Sequence, residues 1–119
     1  MSEHLGHLTF LGSGTSQGVP VIACECPVCL SKDPKDKRLR ASVFVEIANL
    51  KFGIDAGPDF RQQMLRARVK QLDAILLTHE HKDHIAGLDD VRAFNYKQQK
   101  DFPIYCSKQV ETALHREFY

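Results

Sequence analysis

Residues 76–88, LLTHEHKDHIAGL, decide the fold of this chain. They place three histidines and two carboxylates within the six residues 79–84, directly after an apolar run. If the backbone stays extended there, His79, His81 and Asp83 point to one side and His84 follows on the next turn. Two imidazoles and a carboxylate suit one first-row metal ion, and a carboxylate with a further imidazole suits a second ion beside it. The spacing predicts a metal site.

The apolar run before the histidines supports this interpretation. Residues 72–78, LDAILLT, are continuously apolar over the length of a strand, which is typical of a strand covered on both faces. The histidines then lie at the carboxyl end of a core strand, where α/β proteins place their sites. A polar loop that carries histidines by chance is the alternative, and it does not explain their alternate spacing.

The flanking sequence predicts strands that alternate with helices after an initial hairpin. Strands are expected at 7–12 and 102–106, with a hairpin of 41–47 and 50–55 around Asn49. Helices are expected from Gly57-Pro58-Asp59, with an apolar stripe of Phe60, Met64 and Leu65, and then at 88–99 and 110–118. The chain is thus predicted to be α/β, with residues 1–119 in one domain.

Composition narrows the function classes. Sixteen basic and fifteen acidic residues nearly cancel, which argues against a surface that binds nucleic acid or membrane. The sequence has no run of eighteen apolar residues and no basic leader followed by an apolar segment. We therefore expect a cytoplasmic protein without a membrane partner.

The motif formed by His79, His81, Asp83 and His84 resembles the signature of the metallo-β-lactamase superfamily. FLGSGTSQGVP, CECPVC, RLRAS, FGIDAGPDFRQQMLR and HIAGLDDVRAFN resemble the branch that contains the phosphoribosyl cyclic phosphodiesterases of phosphonate breakdown. The resemblance implies half of a four-layered αβ/βα fold, in which a mixed sheet packs against helices.

The same resemblance implies roles for individual residues. His79 and His81 would bind one divalent ion, and Asp83 and His84 would bind the other, with zinc or manganese as the metal. Asp83 and Asp55 are the candidate catalytic residues. Asp55 would support the site from behind the ligands, as ligand orientation requires. A turn-forming role for Asp55 at the end of its strand remains the alternative.

The chain also departs from this family. Family members are about twice as long, and their C-terminal half supplies a third histidine, a bridging aspartate and a last histidine. His115 follows the cluster too closely to replace these ligands and is predicted to be a surface residue. The chain thus resembles the N-terminal half of a hydrolase. We expect it to be inactive alone and to form homo-oligomers through an uncovered apolar sheet face.

Three of the four cysteines, Cys24, Cys26 and Cys29, lie within six residues, whereas Cys106 stands alone. A disulfide framework would spread its cysteines, so the cluster predicts a structural zinc. In the resembling branch the fourth ligand is a histidine of the C-terminal half. Cys106, His4 or His7 are alternatives, although a core cysteine and histidines of a frayed terminus are equally consistent. Free or redox-active thiols also remain open.

A basic segment follows, with Lys32, Lys35, Lys37, Arg38 and Arg40. It is either a solvated loop, interrupted by Asp33 and Asp36, or a phosphate contact, for which Arg40 and Ser42 are the best candidates. The glycine loop at 12–18 lacks the following helix of a nucleotide site, so its glycines are predicted to let the backbone approach the metals. Asp89 and Asp90 either lie near the site or interact favourably with the dipole at the start of the predicted helix.

These observations predict a metal-dependent hydrolase that attacks a small phosphodiester, such as a cyclic sugar phosphate, with metal-activated hydroxide. An RNA-processing nuclease of the same superfamily is the alternative among enzymes, although the balanced charge argues against it. A thioester hydrolase of the glyoxalase type shares the metal motif but not the cysteine cluster. For this chain alone, a non-enzymatic metal-binding or interaction module remains an alternative.

Overall fold

The computed structural model describes residues 6–99 and 101–117. Their strands are β1 (His7–Gly12), β2 (Ser42–Ile47), β3 (Leu50–Ile54), β4 (Ala74–Leu76) and β5 (Ile104–Tyr105). Their helices are α1 (Pro27–Leu30), α2 (Phe60–Ala67), α3 (Lys82–Ile85), α4 (Arg92–Gln98) and α5 (Lys108–Glu117), with 3₁₀ turns at Pro34–Asp36 and Leu88–Val91. No helix among these residues has the length and apolarity needed to cross a bilayer.

The five strands form one mixed sheet in the order β1-β2-β3-β4-β5, which is also their order along the chain. β1, β2 and β3 are antiparallel neighbours, whereas β3, β4 and β5 run parallel. α2 connects β3 to β4, and α3 and α4 connect β4 to β5. The predicted α/β class is confirmed.

Most predicted elements form, but several bounds differ. The predicted strand at 7–12 and the hairpin are confirmed, and Ala48 allows the tight hairpin turn beside Asn49 by adopting a φ of 54°. The predicted helix at 88–99 is divided into a 3₁₀ turn and α4. The predicted strands at 72–78 and 102–106 shorten to three and two residues. α5 begins two residues before the predicted start, and residue 118 lies outside the described residues.

The predicted apolar stripe of α2 is wrong at one position. Phe60 and Met64 are buried, but Leu65 is 62% exposed and Gln63 is buried instead. Residues three and four apart share a helix face, so 60, 63 and 64 face the sheet while 65 turns away. Gln63 is accommodated because its side-chain amide donates to the Arg40 carbonyl at 2.8 Å.

The core lies on one face of the sheet. Leu11, Phe44 and Ile75 contribute from the strands, and side chains of α2 to α5 pack against them, including Phe60, Ile85, Phe94 and Val110. Leu72 and Leu77 flank β4 and are also buried. The carboxyl end of β4 therefore emerges from a packed core and is fixed in position.

The opposite face of the sheet is also apolar. By register it carries the buried Val45 and Ala74. It also carries seven further residues: Leu8, Phe10, Val43, Phe52, Ile54, Leu76 and Tyr105. Phe10 is 72% exposed and Leu8 is 57% exposed. Leu76 is only half-buried, so the described residues cover one face of β4 and leave the other partly open. We call these seven residues the open face.

Two glycines hold the segment after β4 against the end of β3. The Ala56 amide donates to the His84 carbonyl, and the Gly87 amide donates to the Ala56 carbonyl, each at 2.8 Å. A Cβ on Gly57 would lie 2.2 Å from the Asp83 carbonyl oxygen, and one on Gly87 would lie 2.0 Å from the Gly57 carbonyl oxygen. The two backbones touch directly, and only glycine permits this.

We predict that Gly87→Ala destabilises the chain by about 1–3 kcal/mol, as overpacking in a close-packed interior does. Gly53→Ala is the matched control, because its Cβ would meet the end of the Ile75 side chain at 3.0 Å and the nearest backbone atom, the Val43 carbonyl oxygen, at an ordinary 3.9 Å. Urea denaturation followed by circular dichroism measures both variants. Equal stability of Gly87→Ala and Gly53→Ala would show that the backbone contact at 57 and 87 is not a constraint.

Candidate metal centre

The histidine segment leaves β4 extended and enters α3 at Lys82. His81 is the N-cap, with φ −62° and ψ 144°, and Asp83 and His84 lie in the first helical turn. One donor atom each from His79, Asp83 and His84 lies within 4.8 Å of the other two. His84 Nε2 is 2.9 Å from Asp83 Oδ2. The start of α3, rather than an extended backbone as predicted, brings Asp83 to the histidines.

His81 lies beside this group. Its ring centroid is 4.6 Å from that of His79 at an interplanar angle of 76°, and the rings of His79 and His84 are 3.9 Å apart. His81 is exposed, whereas the other two histidines are half-buried. The four predicted ligands therefore lie together at the carboxyl end of β4, with His81 on the solvent side.

Asp55 lies behind the histidines at the end of β3. It is 6% exposed and has a φ of 66°, a left-handed conformation that aspartate tolerates. Its Oδ1 accepts from the Thr78 amide at 2.8 Å, and its Oδ2 accepts from the Thr78 hydroxyl at 2.7 Å. His84 Nδ1 is 2.7 Å from the same Oδ2. Both carboxylate oxygens are thus hydrogen-bonded within the protein, and Asp55 positions Thr78 and His84.

These contacts decide which nitrogens face the cluster. Because a carboxylate only accepts, His84 Nδ1 donates to Asp55. Its Nε2 faces Asp83 Oδ2 at 2.9 Å, and a metal ion held between these two groups would take the Nε2 lone pair. The Thr78 hydroxyl gives its single hydrogen to Asp55, so His79 Nδ1, 2.9 Å away, must donate to the hydroxyl oxygen. Nε2 of His79 is then also free to bind a metal. Metal-ligating histidines carry this kind of support, and the donor set fits a divalent metal.

Other polar residues near the segment have different roles. Glu80 accepts from Gln109 of α5 at 2.8 Å. The pKa of the Glu80 carboxyl is lowered, first by a hydrogen bond from its own backbone amide and then by this bond from Gln109. His115 is exposed on α5 and is not part of the cluster. Asp89 and Asp90 are exposed in the 3₁₀ turn, and no histidine is bonded to either within the described residues.

Arg40 and Ser42, the candidates for phosphate contact, are both engaged within the protein. Arg40 Nη1 and its backbone amide bond the Asp59 carboxylate at 3.0 and 2.9 Å, and its Nε donates to the Ser16 carbonyl at 2.7 Å. The buried Ser42 hydroxyl donates to the Ile54 carbonyl at 3.0 Å. Arg40 therefore joins the glycine loop to the start of α2, and Ser42 fixes the end of β3 beside Asp55.

The rest of the basic segment packs against the glycine loop. Arg38 donates to the Ser13 hydroxyl at 2.8 Å, and bridges join Gly14 to Arg40 and Val19 to Arg38. A Cβ on Gly12 would lie 2.1 Å from the Arg40 carbonyl oxygen. The glycines at 12 and 14 therefore admit the backbone of the basic segment. Their approach to the metals stays a prediction.

The cysteine cluster is a second group of metal-type donors. The sulfurs of Cys24, Cys26 and Cys29 lie within 4.8 Å of one another. The Val21 amide donates to Cys29 Sγ, and the Cys29 amide donates to Cys26 Sγ, each at 3.4 Å. Among the described residues neither His7 nor Cys106 joins the group, and His4 lies outside them. Three converging thiols with amide donors fit a zinc ion that takes its fourth ligand elsewhere.

The pKa values of two thiols in this cluster are shifted in opposite directions. The Cys29 amide and then the Cys24 thiol lower the pKa of the exposed Cys26 thiol. At Cys29 the Val21 amide lowers the pKa, but the neighbouring Cys24 and Cys26 thiols and burial together raise it above the ordinary value. Of these two thiols, Cys26 therefore ionises more readily.

Sequence reasoning missed three residues that shape the site. Thr78 was included only as the end of an apolar strand, although a hydroxyl next to the first histidine could have indicated a partner for its Nδ1. Gly57 was taken as the start of a helix and Gly87 was given no role, whereas each is a backbone contact. The sequence holds no sign of which backbones touch, so the glycines could not be assigned from it.

Comparison with known proteins agrees with this geometry. The family model of the beta-lactamase superfamily domain matches residues 51–119. An octanoyltransferase of Porphyromonas gingivalis is 48% identical over 101 residues, which are 84% of this chain but 20% of that protein. A coenzyme PQQ synthesis protein B of Methylobacterium nodulans is 33% identical over 114 residues, or 84% of this chain and 36% of that protein.

Solved structures share the fold. A diphosphatase of the PhnP family is similar with a TM-score of 0.90 and 48% identity, over 95% of this chain and 46% of that one. Zn²⁺-bound PqqB of Methylobacterium extorquens is similar in fold, with a TM-score of 0.74 and 24% identity, over 92% of this chain and 40% of that one. The predicted fold class and family resemblance are confirmed, and the chain spans less than half the length of each relative named.

We predict that Thr78→Val lowers the affinity of the histidine cluster for Co²⁺ by roughly 10–100-fold, because it removes the hydroxyl that orients His79. Thr78→Ser keeps the hydroxyl and is expected to bind like the wild type. Absorption titration with Co²⁺ reports the histidine site apart from the cysteine cluster, whose thiolates give separate charge-transfer bands. Equal affinity of the valine and serine variants would remove Thr78 from the site.

We predict that iodoacetamide labels Cys26 before Cys29 in the metal-free chain near pH 7.5, because the thiolate is the reactive form. Zinc should slow labelling of Cys24, Cys26 and Cys29 but leave the exposed Cys106 unchanged. Peptide mass spectrometry measures each site. Protection of Cys106 to the same extent, or no protection of the other three, would contradict a zinc site at the cluster.

Proposed function

The chain belongs to the beta-lactamase superfamily, and we propose on this premise that it contributes the metal-binding part of a hydrolase that acts on a small phosphorylated substrate. The observation that carries the proposal is the convergence of His79, Asp83 and His84 in front of a buried carboxylate. A loop with chance histidines has no need of a carboxylate that orients two of them through their Nδ1 atoms.

We assign one divalent ion to His79 and His81 and a second to Asp83 and His84, with zinc or manganese as the metal. Such ions supply Lewis acidity at a phosphoryl oxygen and lower the pKa of water to near neutrality. Asp55 keeps both supporting protons in place, on His84 directly and on His79 through Thr78. Of the four ligands, His81 is the one exposed to solvent.

The substrate class is proposed from chemistry and similarity together. The diphosphatase of the PhnP family, at 48% identity, supports a reaction at phosphorus. A small phosphodiester, cyclic or linear, is the first candidate, and that relative favours a diphosphate as the second. The octanoyltransferase name belongs to a protein of which the match covers 20%, so it is no argument for acyl transfer by these residues.

Turnover is proposed for the longer protein rather than for these residues alone. The family resemblance implies three further ligands that this chain lacks, and without them two ions would be held weakly and oriented poorly. The 119 residues would then be a metal-binding unit. The open face, with Phe10 72% exposed, is proposed to associate with a second copy when nothing else covers it.

The test compares the 119-residue chain with a chain extended to the length of its relatives. We expect the extended chain to hydrolyse bis(4-nitrophenyl) phosphate or a diphosphate diester with Mn²⁺ or Zn²⁺, and the short chain to bind metal without turnover. His79→Ala/His81→Ala should lower the metal content, whereas His115→Ala, exposed and outside the cluster, should not. Light scattering of the same samples should detect dimers or larger species of the short chain.

Three outcomes would contradict the proposal. Equal metal content in the wild type and both histidine variants would remove the metal from the cluster. Metal-dependent turnover by the short chain, equal to that of the extended one, would contradict the need for further ligands. A monodisperse monomer of the short chain would contradict association through the open face.

A further inference from the structure

A groove on the helical side of the molecule lies apart from both donor clusters. It runs between α2 and α4 and encloses about 390 Å³. Its floor consists of Phe60, Met64, Val69 and Phe94, and the Phe60 and Phe94 rings meet edge to face with centroids 6.4 Å apart. No residue that lines it belongs to the histidine cluster or is Asp55 or Thr78. A ligand in this groove would not touch the metal site.

The rim of the groove is basic. Arg61, Arg68, Lys70 and Lys97 surround it and are exposed, with Asp90 as the one acidic residue among those lining it. The rim therefore carries four positive charges and one negative, whereas the whole chain has a net charge of +1. In the part of the chain that the structure describes, none of these four cations is bonded to a carboxylate. The cations remain available to an anion.

Leu65 completes the groove. It is 62% exposed and lines the groove beside these cations. It adds an apolar wall beside the aromatic floor, against which the apolar body of a ligand would pack.

We propose that this groove binds a small amphipathic anion, whose aromatic or short acyl body lies on the floor and whose carboxylate or phosphate lies among the rim cations. The volume is within the range of small-molecule sites, about 300–1,000 Å³. Arginine and lysine recognise such head groups, Arg through its planar fork and Lys as a point charge. A helical peptide would need anchors over two turns or more, and this short floor does not offer them.

The first experiment titrates the chain with 4-(trifluoromethyl)benzoate by ¹⁹F NMR in the presence of EDTA, so that no metal holds the carboxylate. We expect saturable binding, and weaker binding of the uncharged 4-(trifluoromethyl)benzamide. Lys70→Glu/Lys97→Glu should weaken benzoate binding roughly tenfold or more. Lys32→Glu/Lys35→Glu makes the same change in charge at exposed positions outside the groove and should not weaken it.

A second pair of variants tests the apolar wall. Leu65→Ser should weaken binding of the benzoate severalfold, whereas Leu50→Ser, at a position 59% exposed at the hairpin turn, should not. Absence of saturable binding, or equal loss in groove and control variants, would overturn the proposal. Binding of an acidic peptide without binding of the benzoate would overturn the assignment to a small ligand. Because these titrations contain no metal, their failure is separate from failure of the proposed hydrolase.

Discussion

The Asp55 carboxylate is the contact on which the site depends. It lies at the end of β3, holds Thr78 at the end of β4 by two hydrogen bonds, and holds His84 at the start of α3 by a third. A buried carboxylate is costly unless its oxygens are bonded, so these three bonds and the left-handed backbone of Asp55 stabilise one another. Ser42 and the two glycines at 57 and 87 keep the surrounding backbones close enough for this contact.

The histidine spacing was enough to predict that these donor side chains gather after a core strand. The family resemblance implied that Asp55 supports the ligands from behind, and its bonds to Thr78 and His84 agree with that role. The place of Thr78 next to His79 indicates one of its contacts, but its bond to Asp55, 23 residues away in sequence, could not be predicted. Contacts between residues close in sequence can thus be predicted from the sequence. Contacts that depend on which strands are neighbours cannot.

The fold shows the same division. Alternating apolar runs predicted the strands and the hairpin, but strand length is set by the partner strand, so β4 and β5 pair over only a few residues. Leu65 was assigned to the core from its spacing, yet the face of α2 that meets the sheet takes Gln63, because an available carbonyl at Arg40 makes a polar residue acceptable there. The sequence made Arg40 a candidate for phosphate contact, but its guanidinium is bonded to Asp59, 19 residues away in sequence. Such pairings need the folded chain.

The order of the strands across the sheet, which equals their order along the chain, bears on how the molecule assembles. Each new strand joins the edge left by the previous one, so the sheet can grow outward from the β2–β3 hairpin without a strand being inserted between two others. Asp55 directly follows the hairpin and precedes His79 in the chain, so a nascent chain carries the orienting carboxylate before the first histidine of the cluster is synthesised.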